Sequence, residues 1–164
     1  MYIRFECDSL FSIACIREPS PFFANISLIL PPNDCVIGVA SYLPEGAIAK
    51  WLHNLPDIEI PRQFDFKHLV KSNSENPDGG AFYFSATEFY LNQAAHLASL
   101  VASPEFLCSH VICFRGEKPI LMYHDAFQYD DMLVSSDVPV EQIEAFRSAL
   151  GVGYKLVPNP QLRN

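Results

Sequence analysis

Between Pro119 and Phe146 the chain has no lysine and no arginine. The same 28 residues hold six carboxylates, so the block accounts for six units of the chain's net charge of −8. Other absences narrow the field as sharply. No apolar run is long enough to cross a bilayer; the longest surrounds Ile26 to Leu30. Charges at Arg4 and Glu6 come too early for a secretory leader. A basic face is also missing: with a pI near 5.0, the chain lacks the cationic surface that holds nucleic acid or anionic membrane. Only 18% of residues are charged against 49% hydrophobic, which excludes a disordered chain. Thirteen prolines and seven glycines are dispersed rather than repeated, which excludes a repeat array.

Catalytic and metal spacings are lacking too. Gly79-Gly80 and Gly151-Val-Gly153 fit neither a dinucleotide nor a Walker pattern. Cys108 and Cys113 are five apart on a predicted strand and so face opposite sides, and no Cys or His pair has zinc-ligand spacing. No metal and no cofactor is expected. His124-Asp125 supplies an imidazole and a carboxylate, but adjacent residues rarely serve one site. An odd count of five cysteines, mostly in apolar surroundings, reads as reduced thiols in a cytoplasmic protein. A nucleophilic pair of Cys108 with His110 or His124 is the best enzyme candidate, for a small hydrolase or transferase. No helix start follows either cysteine to lower its pKa.

What is present reads as one α+β domain over residues 1–164, with a mainly antiparallel sheet and about three helices. Alternation from Tyr2 to Asp8 predicts a strand, with Ile3, Phe5 and Cys7 on one side, and Leu10 to Ile16 continues or pairs with it. Glu18-Pro-Ser-Pro21 reads as a break, Phe22 to Leu30 as a strand, and Val36 to Tyr42 as either strand or helix. Pro44 to Leu55 has the apolar face of a helix, and 57–80 reads as a long loop. Ser85-Ala-Thr-Glu88 has the form of a capping box, predicting a well-buried helix to about Ser103 with one polar stripe of Glu88, Asn92, His96, Ser99 and Ser103. A hairpin at Arg115 to Lys118 joins two strands, and Met132 to Ser135 is a third. A last helix follows Pro139, with Val140, Ile143, Phe146 and Leu150 inward and Gly151 ending it, before a strand at Tyr154 to Val157.

The acidic block is the main functional signal. Tyr123, Asp125, Phe127 and Tyr129 share one parity, so a strand here would set three rings and a carboxylate on one face. Asp130, Asp131, Asp137, Glu141 and Glu144 add charge. Carboxylates mimic phosphates and aromatic rings anchor interfaces, so these nine residues form the candidate partner-binding set. A solvated acidic edge explains the charges equally well, and the rings only weakly favour recognition. In this acidic, motif-free character the chain resembles bacterial immunity proteins of the contact-dependent inhibition type. The resemblance implies a cytoplasmic, stoichiometric inhibitor that covers the basic active site of a cognate, nuclease-type protein toxin. The alternatives are the Cys/His enzyme and a structural or adaptor subunit.

Overall fold

The structure is a computed structural model that describes residues 4–31, 34–66, 78–104 and 107–162. Among these residues seven strands form one sheet: β1 (Ser9–Ile13), β2 (Cys35–Ser41), β3 (Gly80–Ser85), β4 (His110–Arg115), β5 (Lys118–Tyr123), β6 (Met132–Ser135) and β7 (Tyr154–Pro158). Their order is β3-β2-β4-β5-β6-β1-β7, and every neighbouring pair is antiparallel. Among the described residues four helices accompany them: α1 (Pro19–Asn25), α2 (Gly46–His53), α3 (Glu88–Leu100) and α4 (Val140–Leu150). The α+β class with a mainly antiparallel sheet is as the sequence predicts, with one helix more.

That extra helix is α1, where a strand was expected. Pro19 stands at its first turn, where a missing N–H costs nothing and φ is preset. The buried residues Phe22, Phe23, Ile26, Ile29 and Leu30 then follow helical spacing through a short 3-10 turn, Ile26–Leu28. The prolines that read as a break are the helix start. Val36 to Tyr42 resolves as strand β2. Residues 4–8 form no strand, and Met1 to Ile3 lie outside the described residues. Of the expected loop, 67–77 is also outside them.

Ser85 does not cap α3. It is the last residue of β3, paired with Val36, and Thr87 is the cap, its Oγ1 accepting from the Tyr90 N–H at 3.5 Å. The helix ends at Leu100 rather than Ser103. Glu88, Asn92, His96 and Ser99 are exposed as predicted, but Phe89 and Leu100 are exposed as well, so the helix is less buried than expected. In α4, Ile143 and Phe146 are buried and Gly151 ends the helix at φ 67°, while Val140 at the first turn faces solvent.

The helices contribute to one large core on one face of the sheet. Cys35, Ile37, Val39, Val111, Cys113, Leu121, Tyr123, Met132, Val134, Phe11 and Ile13 meet Leu52, Leu91, Ala94, Ile143 and Phe146 there. Phe22 is central: its ring lies 5.0–6.3 Å from those of Phe23, Tyr123, Phe127 and Phe146. On the opposite face, Phe64 and Phe66 cover Ala40, Ala81, Tyr83, Ile112 and Phe114. Gly38 is required on that face, because a Cβ there would come within 2.7 Å of the Tyr83 ring and 2.9 Å of Ile112.

Two buried tyrosines fasten irregular segments to the sheet. The Tyr123 hydroxyl donates to the Ile16 carbonyl at 2.7 Å and accepts from the Ile16 N–H at 2.9 Å. On the other face, the Tyr83 hydroxyl donates to the Phe64 carbonyl at 2.9 Å and accepts from the Phe66 N–H at 3.0 Å. Backbone groups that no strand pairs are thus satisfied by side chains.

A candidate docking and metal-ligating cluster at one end of the sheet

The register decides which residues meet. Ala40 pairs with His110, Val111 with Tyr123, and Ile13 with both Met132 and Tyr154. One end of the sheet therefore collects Tyr42 after β2, His110 at the start of β4, the 124–131 connection after β5, and Cys15 after β1. Side-chain alternation sets Tyr42, His110 and His124 on the face away from the helices.

The 124–131 connection is not a strand. Residues 124–129 form turns, with Asp125 at φ 43° and Phe127 at φ 69°. These left-handed conformations are uncommon for residues other than glycine, and they end the alternation. The shared-face expectation therefore fails: Tyr123 and Phe127 are buried, with their rings 5.2 Å apart, and are not surface residues. Tyr129 points the other way and is 81% exposed. The turn is anchored by the Ala126 N–H, which donates to the Ser109 carbonyl at 2.7 Å.

The six carboxylates do not form one patch. Asp125, Asp130 and Asp131 lie at the end just described. The Asp125 and Asp130 Oδ2 atoms lie 3.3 and 3.2 Å from His124 Nδ1. Asp131 is committed to the fold: it accepts from the Ser12 hydroxyl at 3.1 Å and from the Cys15 N–H at 3.0 Å. Asp137 follows the far end of β6, beside a small pocket shared with Glu6, Cys7, Lys118, Pro119 and Ser135. Glu141 is exposed in the first turn of α4, on the helical side. Glu144 accepts from Arg147 and from the Tyr154 hydroxyl, both at 2.8 Å, and these bonds hold its carboxyl below the usual range. Of the nine candidates, the structure brings together Asp125, Tyr129, Asp130 and Asp131.

The reading of the sequence missed Tyr42 and Leu43, both partly exposed, and treated His110 only as a partner for a cysteine. His110 Nδ1 accepts the Asp125 N–H at 3.2 Å, and its Nε2 lies 3.2 Å from the Tyr42 hydroxyl. Burial, then the neighbouring His124, lowers its pKa, against the opposing pull of Asp125 and Asp130. Burial and then Asp125 raise the Tyr42 pKa. His110 and Tyr42 are 68 residues apart, and only the pairing of β2 with β4 joins them.

The cysteine nucleophile finds no support. Cys108 and Cys113 are fully buried in the main core, and desolvation pushes both thiols far above their ordinary range. All five cysteines are free thiols.

No protein-family model, curated protein or solved structure matches this chain significantly. The site therefore rests on its own geometry. Among the described residues, no helix is long and apolar enough to cross a membrane.

Proposed function

We propose that this chain is a protein-binding module of the toxin-neutralising immunity type, docking through the 124–131 end of its sheet onto a basic surface of its partner. The observation that carries the reading is Tyr129: a large ring, 81% exposed, on the same turn as Asp125 and next to Asp130 in the chain. An exposed ring flanked by carboxylates suits a cationic surface. It buries apolar area on docking and offers its face to arginine or lysine, while the carboxylates speed encounter and set orientation. Tyr42 and Leu43, partly exposed at the same end, widen the apolar part. The burial of Cys108 and Cys113 weighs against the thiol-enzyme alternative. Inhibition of this kind needs no turnover. Opposite charge brings the proteins together, the ring slows release, and the covered groove of a nuclease-type toxin is closed to its substrate.

The test uses the product of the adjoining reading frame as the candidate toxin. Co-expression of wild-type chain is expected to relieve its toxicity. Tyr129→Ala combined with Asp130→Asn, both at exposed positions, is expected to lower protection with folding intact. The association rate of wild type should fall more steeply with added salt than that of the variant. Equal protection by the two proteins overturns the docking surface, and unrelieved toxicity overturns the immunity reading.

A further inference from the structure

The paired strands β4 and β5 end in two histidines. Val111 pairs with Tyr123, so His110 and His124 are the next cross-strand neighbours outward, and their ring centroids lie 4.5 Å apart. The chain then turns sharply at Asp125, whose φ of 43° brings its carboxylate back to its own neighbour, with Oδ2 3.3 Å from His124 Nδ1. Ligand atoms of His110, His124 and Asp125 all lie within 4.8 Å of one another.

The tautomer of His110 follows from its contacts. The Asp125 N–H can only donate, so Nδ1 carries a lone pair. The ring N–H is then at Nε2, where it donates to the Tyr42 hydroxyl. An outer partner thus fixes Nε2, as in a metal-ligating histidine, and the Nδ1 lone pair opens to an ion once the Asp125 N–H turns away. A cation at Nδ1 would replace the Asp125 N–H contact and leave the Tyr42 contact in place. The 3.3 Å between His124 Nδ1 and Asp125 Oδ2 already equals the edge of a tetrahedron with bonds of about 2.0–2.1 Å. Rotation of the exposed His124 and Asp125 side chains, with the Asp125 N–H turning away from Nδ1, supplies the remaining contraction.

We propose that His110, His124 and Asp125 form a surface site for a late first-row divalent cation of the Zn²⁺ kind. Two imidazoles and one carboxylate suit such ions, whereas Mg²⁺ and Ca²⁺ prefer all-oxygen shells. Asp130, 3.2 Å from His124, adds a second negative charge beside the cation. His124 and Asp125 are 64% and 46% exposed, so an ion reaches them without opening the fold. Binding fastens the 124–129 turn to β4. The site does not depend on the docking reading and is tested without any partner.

The experiment is calorimetric titration of the purified chain with Zn²⁺, in a background carrying Cys7→Ser and Cys15→Ser, which removes the two less buried thiols. One ion per chain is expected. His124→Gln, and Asp125→Asn, which keeps a residue tolerant of positive φ, should each weaken binding about tenfold or more. His96→Gln, an exposed histidine on α3, should leave it unchanged, and Mg²⁺ should give no heat. Far-UV circular dichroism confirms that each variant is folded. Absence of Zn²⁺ binding overturns the proposal, and the imidazole–carboxylate contact is then a hydrogen bond donated by the His124 Nδ1–H. Binding that survives His124→Gln, or that falls equally with His96→Gln, also overturns it.

Discussion

Replacing Tyr123 by Phe removes one oxygen and leaves the ring. The site is fully buried, so the apolar packing against Phe22 and Phe127 is retained and only the hydroxyl's bonds are lost. Its two short bonds go to Ile16, whose side chain is itself buried, and a longer contact of 3.6 Å reaches the Cys15 thiol. Without the oxygen, the Ile16 N–H and C=O lose these partners in a region closed to water. An unsatisfied buried backbone group costs about 1–3 kcal/mol, and partial relaxation of the 14–18 segment recovers some of that. Tyr123→Phe is therefore expected to destabilise by about 2–4 kcal/mol, a large part of the roughly 5–15 kcal/mol that a domain possesses. Tyr83→Phe deletes the matching pair of bonds on the other face and should cost a similar amount. The assay is urea unfolding followed by fluorescence of Trp51, which packs on the edge of the main core. A cost below about 0.5 kcal/mol for Tyr123→Phe, at unchanged m-value, would show that the hydroxyl does not fasten the segment and would refute the reasoning.

Two further outcomes follow from the structure. Thr87→Ala should lower stability by about 0.5–1 kcal/mol through loss of the α3 cap, while Ser85→Ala, on a sheet-edge strand, should cost only a few tenths, as read from denaturation midpoints; the reverse ranking would return the cap to Ser85. Hydrogen bonds from Arg147 and Tyr154 lower the Glu144 pKa from 4.5 in the folded chain, so their stabilisation is present above the unfolded value and is lost as pH falls through the folded one. Stability measured from about pH 5 to about pH 3 should then fall more for wild type than for Glu144→Gln, and parallel curves would remove Glu144 from the acid response.

Much of the fold is legible where local physics decides it. The hairpin at Gly116 needs only a two-residue turn, β6 runs over the four residues expected, and Gly151 ends α4 in the left-handed conformation that glycine favours. The departures occur where local signals are ambiguous. Pro19 serves equally as a breaker or as a helix start, and Phe22 to Leu30 is apolar enough for either period until burial selects the helical one. Ser85 and Thr87 both make good caps; the pairing of Ser85 with Val36 in the sheet leaves the role to Thr87.

The sequence by itself determined the α+β class, the focus of negative charge between residues 119 and 146, and the core positions of α4 at Ile143 and Phe146, because composition and periodicity act over short stretches of chain. The tertiary structure alone decided which charges and rings share a surface. Strand register brings His110 to His124 and Tyr42 to His110 across gaps that no spacing rule spans. Positive φ at Asp125 and Phe127 then buries one ring and leaves Tyr129 in solvent, because two left-handed residues break the alternation that a strand would have imposed.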